Sequence, residues 1–196
     1  MGNMGKSRLD FYKPETVGQW IIFLAAIGIT LSSPSGTRAF LKELHKYLDE
    51  KQGENKQKYN SQQLSQAIYY LKKRKFIKIE KLDSGEIRIK LTERGRRRKM
   101  QYDLERMQIP RQVSWDGKWR MLMFDIPESQ RNLRGNLTDK LKRLGFAQFQ
   151  KSVWLYPYPC ENEIDFITEY FSIAEYVNLI TVKIENDKPL RKEFGL

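Results

Sequence analysis

The chain has 196 residues, 36 Lys and Arg against 24 Asp and Glu for a formal net charge of +12, and a single Cys and a single His. Cys160 alone excludes an internal disulfide framework and a cysteine-rich zinc site and suits a reducing cytoplasm, and His45 alone excludes a histidine triad or multi-histidine metal centre within one chain. Residues 1–110 hold 23 Lys and Arg against 12 Asp and Glu, whereas residues 111–196 hold 13 against 12. The first part is therefore expected to meet a polyanion, most simply nucleic acid, with an anionic membrane surface as the weaker alternative. The second part needs another task, such as dimerisation or catalysis.

Met1–Pro14 reads as a loose polar arm, with Lys6, Arg8 and Lys13 either solvated or against phosphates. Val17–Leu31 is the most apolar run, and the basic residues before it imitate a signal peptide. It is shorter than the roughly 18–20 residues of a spanning helix, contains Gln19, and is followed by no small-x-small cleavage pattern. It is read as a buried core helix from about Glu15 to Ile29, ended by Ser32–Gly36, and no membrane partner is expected. A second helix is expected from Thr37 to about Glu50, with Phe40, Leu41, Leu44 and Leu48 inward and His45 in a solvent-facing or half-buried structural role. Gln52–Tyr59 is read as a polar loop that orders on binding.

Asn60 opens a third helix and forms a capping-box pattern with Gln63. Leu64, Ala67, Ile68 and Leu71 fall at i, i+3, i+4 and i+7, the buried stripe. Gln62, Gln63, Gln66, Tyr69, Tyr70, Lys72 and Lys73 are left outside. Glutamine amides pair bidentately with adenine edges, and tyrosine and lysine reach phosphates, so this face suits a DNA major groove, although glutamines alone would equally fit an ordinary polar face. Ile77 and Ile79, then Ile87, Ile89 and Leu91, alternate with charged residues as two half-buried strands around an Asp83-Ser84-Gly85 turn. A hairpin directly after such a helix is the layout of a winged helix-turn-helix. The segment YLKKRKFIKIEKLDSGEIRIKLTERG, Tyr70–Gly95, is similar to the recognition helix plus wing of many bacterial regulators. That resemblance implies double-stranded DNA as partner, with Lys78, Lys81, Arg88 and Lys90 lining the wing; a winged helix used for protein contact is the alternative.

Thr92 starts a further helix with an apolar stripe of Met100, Leu104 and Met107, read as helix packing or a dimer seam. Its basic cluster, Arg94, Arg96, Arg97, Arg98 and Lys99, either is solvated or contacts phosphates, with Arg96 and Arg97 the leading candidates. The domain division follows: 1–108, a linker at 109–117 with Pro110 and the Asp116-Gly117 turn, and 118–196.

In the second domain a strand, Trp119–Phe124, ends on Asp125 before Ile126-Pro127 breaks it. Leu133, Leu137, Leu141 and Leu144 mark a helix whose outer face carries Arg131, Arg134, Asp139, Lys140, Lys142 and Arg143, capped by Gly145. Strands Phe146–Gln150 and Ser152–Tyr156, a helix Glu161–Phe171, a strand Tyr176–Ile184 and a short tail Lys188–Leu196 complete it. The order is the ferredoxin-like βαββαβ, so the whole chain is read as α+β, a winged helix followed by a ferredoxin-like domain with both helices on one sheet face. Trp119, Phe149, Trp154 and Tyr156 make more aromatic surface than one sheet side needs, and a second copy of the domain is expected to cover the other face, giving a homodimer.

The strand-end FDIP, the arginines after it, the LKRLGF helix end and the QKSVW strand resemble the small CRISPR-associated adaptation endonuclease of the Cas-two type. The longer pattern WRMLMFDIPES…GF…QKSVWLYP is closer to the Cas-two-like middle domain of PaaX-type transcriptional repressors, over roughly residues 115–185. The repressor resemblance implies a DNA-binding regulator, a repressor acting as a homodimer on a palindromic operator, with no cofactor required. It lacks here the further C-terminal domain of that family, so the small-molecule effector is unknown. The nuclease resemblance implies the alternative: Asp125 paired with its copy across the dimer axis, holding Mg²⁺ or Mn²⁺ as the catalytic metal, with Ser152 near the same cleft. The residues alone leave a third reading of Asp125, a turn fixed by its bonds to backbone N–H groups two or three residues on. A protein-interaction scaffold without a DNA role is the weakest reading of the whole chain.

Overall fold

The structure, a computed structural model, describes residues 14–31, 41–48 and 59–196. The chain divides between Glu105 and Arg106 into two compact units.

In the first unit α1 (Val17–Ala26) starts on a reciprocal cap: Gln19 N–H donates to Thr16 Oγ1 at 3.2 Å and Thr16 N–H to Gln19 Oε1 at 3.1 Å. It buries Trp20, Ile21, Ile22, Leu24 and Ala25, as a helix apolar on most sides must. It is shorter than the apolar run suggests. Gly28, at φ +71°, reverses the chain, and Thr30–Leu31 (β1) leaves as an edge strand. A two-residue strand has no periodicity to read. Residues 41–48 are helical (α2) and bury Leu41, Leu44 and Leu48; Phe40, the Ser32–Gly36 breaker, the arm before Pro14 and most of the expected loop lie outside the described residues. Tyr59, assigned to that loop, belongs to the core instead: it is buried, its hydroxyl donates to Glu15 O at 2.8 Å, and His45 Nε2 bonds to its carbonyl oxygen.

The helix α3 (Ser61–Lys73) leads into β2 (Ile77–Lys81) and β3 (Ile87–Leu91). The sheet order is β1-β3-β2, antiparallel throughout, with Ile77 opposite Leu91 and Ile79 opposite Ile89 on the buried side. Leu64, Leu71, Ile77, Ile89 and Leu91 join the α1 and α2 side chains in one core. Then α4 (Glu93–Arg106) is pinned at its start: Thr92 N–H donates to Phe76 O at 3.0 Å, Thr92 Oγ1 donates to Lys75 O and Phe76 O, and Gly95 N–H donates back to Thr92 Oγ1 at 3.0 Å. A Cβ on Gly95 would lie 1.9 Å from Phe76 O, so only glycine fits. The buried side of α4 is Gly95, Lys99 and Asp103, not the expected methionine stripe, of which Met107 alone, beyond the helix, is buried. Lys99 Nζ meets Asp103 Oδ2 at 2.5 Å, which lets two charges one helical turn apart be buried together.

The second unit runs β4 (Trp119–Phe124), α5 (Arg131–Leu144), β5 (Ala147–Gln150), β6 (Val153–Tyr156), α6 (Glu161–Phe171), β7 (Val177–Val182) and α7 (Lys188–Phe194). The sheet order β5-β6-β4-β7, antiparallel at every pair, is that of the split βαββαβ. Residues opposite each other share a face. Leu122 and Trp154 therefore lie together, with Arg120 and Tyr156 and with Phe124 further along β4, all buried; Leu137, Leu141, Ile164 and Ile167 of the two helices are buried too. Trp119 points the other way, with Met121, Met123, Leu155 and Ile180.

The expected single aromatic surface is thus divided. Trp154 and Tyr156 are core, and Trp119 is covered by Trp115 at 5.1 Å and by Phe194 at 5.5 Å between ring centroids. Part of the cover comes from α7, a helix where the sequence suggests only a short tail. Asp187 holds it, accepting from Trp119 Nε1 at 3.0 Å and from Arg191 Nε at 2.8 Å, and Arg191 lies 4.8 Å over the Trp115 ring. The Arg191 and Trp119 donors keep the Asp187 carboxyl below its usual range. Lys140, expected outside α5, is buried, and burial brings its amine down to about 8.

Candidate nucleic-acid interface

The helix α3 is fixed by Leu64 and Leu71 below and by the Asn60/Gln63 box at its start, where Gln63 N–H donates to Asn60 Oδ1 at 2.8 Å and Asn60 N–H to Gln63 Oε1 at 2.9 Å. At 3.6 residues per turn, Gln62, Gln66, Tyr69 and Lys73 fall within about 60° of one another, opposite the buried stripe. All four are exposed. Tyr69 is 66% exposed and has Lys73 Nζ 5.8 Å from its ring centroid. A second row, Gln63, Tyr70 and Arg74, runs beside the first, with Arg74 5.4 Å over the Tyr70 ring. Tyrosine rings carrying cations give flat, cationic edges suited to sugar and phosphate. The exposed run Lys72–Lys75 closes the helix, cations at the negative end of its dipole. Arg74 and Lys75 were missed in the sequence, although the KKRK run was the signal.

The hairpin is less basic than its lysine count suggests. Lys78 opposite Lys90 and Glu80 opposite Arg88 share one face, whereas Lys81 lies opposite Ile87 on the other. Glu80 bridges two lysines, 2.7 Å from Lys78 and 2.9 Å from Lys90. Those two hydrogen bonds hold its carboxyl down at about 2. Arg88 Nε donates to Thr30 Oγ1 at 3.2 Å, tying β1 to the hairpin. On α4, Arg96 and Arg97 reach Glu93 at 3.0 and 3.7 Å in exposed pairs that a polyanion readily displaces. Arg98 stacks on Tyr102 at 4.4 Å and Arg94 on Phe76 at 5.3 Å, while Lys99 is unavailable in its buried pair.

Asp125 ends β4 with its N–H on Tyr176 O at 2.9 Å and its side chain exposed. Among the described residues its carboxylate makes no hydrogen bond or ion pair, so it does not fix the turn. Arg134 does: it donates to Ile126 O and pairs with Glu128 at 3.1 Å. Ser152 holds Phe124 N–H through its carbonyl at 3.1 Å. Among the described residues no three His, Cys, Asp or Glu side chains are grouped to hold a metal. Asp125 is one carboxylate donor, and a cation there would draw its other ligands from water or from another chain.

The second unit is thus an α+β domain of split βαββαβ order. Residues 112–193 match the family model described as the PaaX protein central Cas2-like domain, and that match is consistent with a transcriptional regulator. Comparison with curated proteins finds no match. Among solved structures, the chain is similar to the uncharacterized protein Rv0674 from Mycobacterium tuberculosis, at 18% identity and a TM-score of 0.35, over 69% of this chain and 53% of the other. This chain therefore spans about half the length of that protein. No helix among the described residues is long and apolar enough to cross a membrane.

Proposed function

We propose that the chain is a DNA-binding transcriptional repressor of the PaaX type that acts in the cytoplasm as a homodimer on a palindromic operator. The first unit is then a winged helix, with α3 in the major groove and the β2–β3 hairpin as wing. The observation that carries this reading is the exposed row Gln62, Gln66, Tyr69 and Lys73 on a rigidly capped helix directly before that hairpin. The β1-β3-β2 sheet order and the basic excess of residues 1–110 support it. The Cas2-like unit supplies the dimer. On its sheet face away from α5 and α6, Met121, Met123 and Val153 are only half-buried and Ile180 is 42% exposed, apolar surface that a second copy would cover.

A second reading has its own observation. The unengaged carboxylate of Asp125 at a strand end suits a metal-dependent endonuclease in which two copies share one Mg²⁺ or Mn²⁺. One titration separates the two: labelled duplexes from upstream of the protein's own gene, in EDTA and then in Mn²⁺, with intact and cut DNA resolved. The repressor gives a sharp shift in EDTA, uncut DNA, and unchanged binding in Asp125→Ala. Cleavage that needs Mn²⁺ and disappears in Asp125→Asn would replace it with the nuclease.

A further inference from the structure

The three glutamines of α3 are not equivalent. Gln62 and Gln66 are exposed, lie one turn apart on the outermost row, and make no hydrogen bond among the described residues. Ser65 between them does not compete for a ligand, because its hydroxyl donates back to Ser61 O at 2.9 Å. Gln63 is committed. Its Oε1 accepts from Asn60 N–H at 2.9 Å while its own N–H is held by Asn60 at 2.8 Å. Bidentate recognition of adenine needs both ends of the amide, the oxygen accepting from the N6 amino group and the nitrogen donating to N7. Gln62 and Gln66 have both ends free. Gln63 has only its nitrogen, and recruiting its oxygen would break the capping-box bond from Asn60 N–H.

Resting on the DNA-binding reading above, we infer that Gln62 and Gln66, and not Gln63, determine the specificity of α3, each reading the adenine of an A·T pair. Four residues advance about 6 Å along a helix, and bases along one strand are about 3.4 Å apart. The two positions read are therefore about two base pairs apart in each half-site. Tyr69 and Lys73, further along the same row, fall towards the phosphates and position the helix without selecting sequence.

The test is selection of bound duplexes from a random-sequence pool by the full chain and by three single variants. The wild type enriches A·T at two positions about two base pairs apart. Gln62→Ala relaxes one of them and Gln66→Ala the other, each losing roughly five- to hundredfold discrimination at its own position. Gln63→Ala leaves the base preference intact. Replacing the selected adenine by 7-deazaadenine weakens the wild type but not the variant that lacks its reader. Unchanged preferences in Gln62→Ala and Gln66→Ala, or loss of the A·T preference in Gln63→Ala, would overturn the assignment while sequence-selective binding left the repressor reading standing. Failure of the wild type to bind any duplex would overturn both.

Discussion

Replacing Gly95 with Ala puts a methyl group where a backbone oxygen already stands, 1.9 Å from Phe76 O. The oxygen cannot rotate away as a side chain would, because it accepts from both Thr92 N–H and Thr92 Oγ1. Relief requires the first turn of α4 to lift off the strand, which sacrifices those two bonds at about 1 kcal/mol each. Residual crowding adds about 1–3 kcal/mol. Alanine returns about 1 kcal/mol through its helix propensity. The balance is a loss of about 2–4 kcal/mol, confined to the first unit. Hydrogen exchange read by mass spectrometry resolves it by segment: amides in 71–95 should exchange roughly thirty- to several-hundredfold faster, since each 1.4 kcal/mol is a factor of ten, and amides in 119–182 should be unchanged. Equal or slower exchange in 71–95 would refute the argument that the α4 contact requires a glycine.

Glu80→Gln removes the anion that holds Lys78 and Lys90, so duplex binding should tighten, with a salt dependence steeper by up to about two phosphate contacts; an unchanged slope would place the hairpin away from DNA. The same carboxyl, held at about 2, supports the hairpin fully above its unfolded range near 4.3 and loses that support as pH falls towards 2, a window absent in Glu80→Gln when hairpin amide exchange is followed against pH. Asp116→Ala removes the carboxylate to which the buried Arg120 guanidinium donates at 2.9 and 2.8 Å, and leaves it the carbonyls of Lys118 and Pro157, each at 3.1 Å. The loss of a charge-assisted pair should cost about 1.5–3 kcal/mol in urea unfolding, and an unchanged urea midpoint would show that the pair carries no stability. Gln63→Ala removes only the bond that Asn60 N–H makes to the Gln63 side chain, since the backbone N–H of residue 63 still donates to Asn60 Oδ1; helix stability should fall by about 0.5–1 kcal/mol, seen as increased exchange at Asn60 and the first turn of α3.

Elements with a period were legible. Trp119–Phe124 and Glu161–Phe171 occupy the residues expected of them, and β2 and β3 follow the alternation of isoleucine with charge. What escaped depends on partners distant in sequence. Thr30–Leu31 becomes a strand only because Ile87 and Arg88 are there to pair with it. Lys188–Phe194 becomes a helix over Trp119 because Asp187 finds the indole N–H. Lys99 and Lys140 read as surface by residue type alone, yet both are buried, Lys99 beside an aspartate four residues on. In the candidate site the row on α3 was readable from spacing, but two distinctions within the predicted set were not. Gln63 spends its oxygen on the Asn60 N–H in the capping box, and the register brings Glu80 between two wing lysines. The role given to Asp125 in fixing the turn passes to Arg134, a residue six positions from its Glu128 partner and visible only in three dimensions.

The claim that α3 lies on DNA is tested most directly by the affinity of the full chain for a selected duplex and for a scrambled one, measured against salt, in the wild type and in Lys73→Ala. The account predicts that the wild type prefers the selected duplex and that both affinities fall steeply with salt. Lys73→Ala should weaken the two alike and flatten the salt slope by about one contact. Binding to neither duplex at about 0.15 M salt, or a Lys73→Ala variant with an unaltered slope, would contradict it.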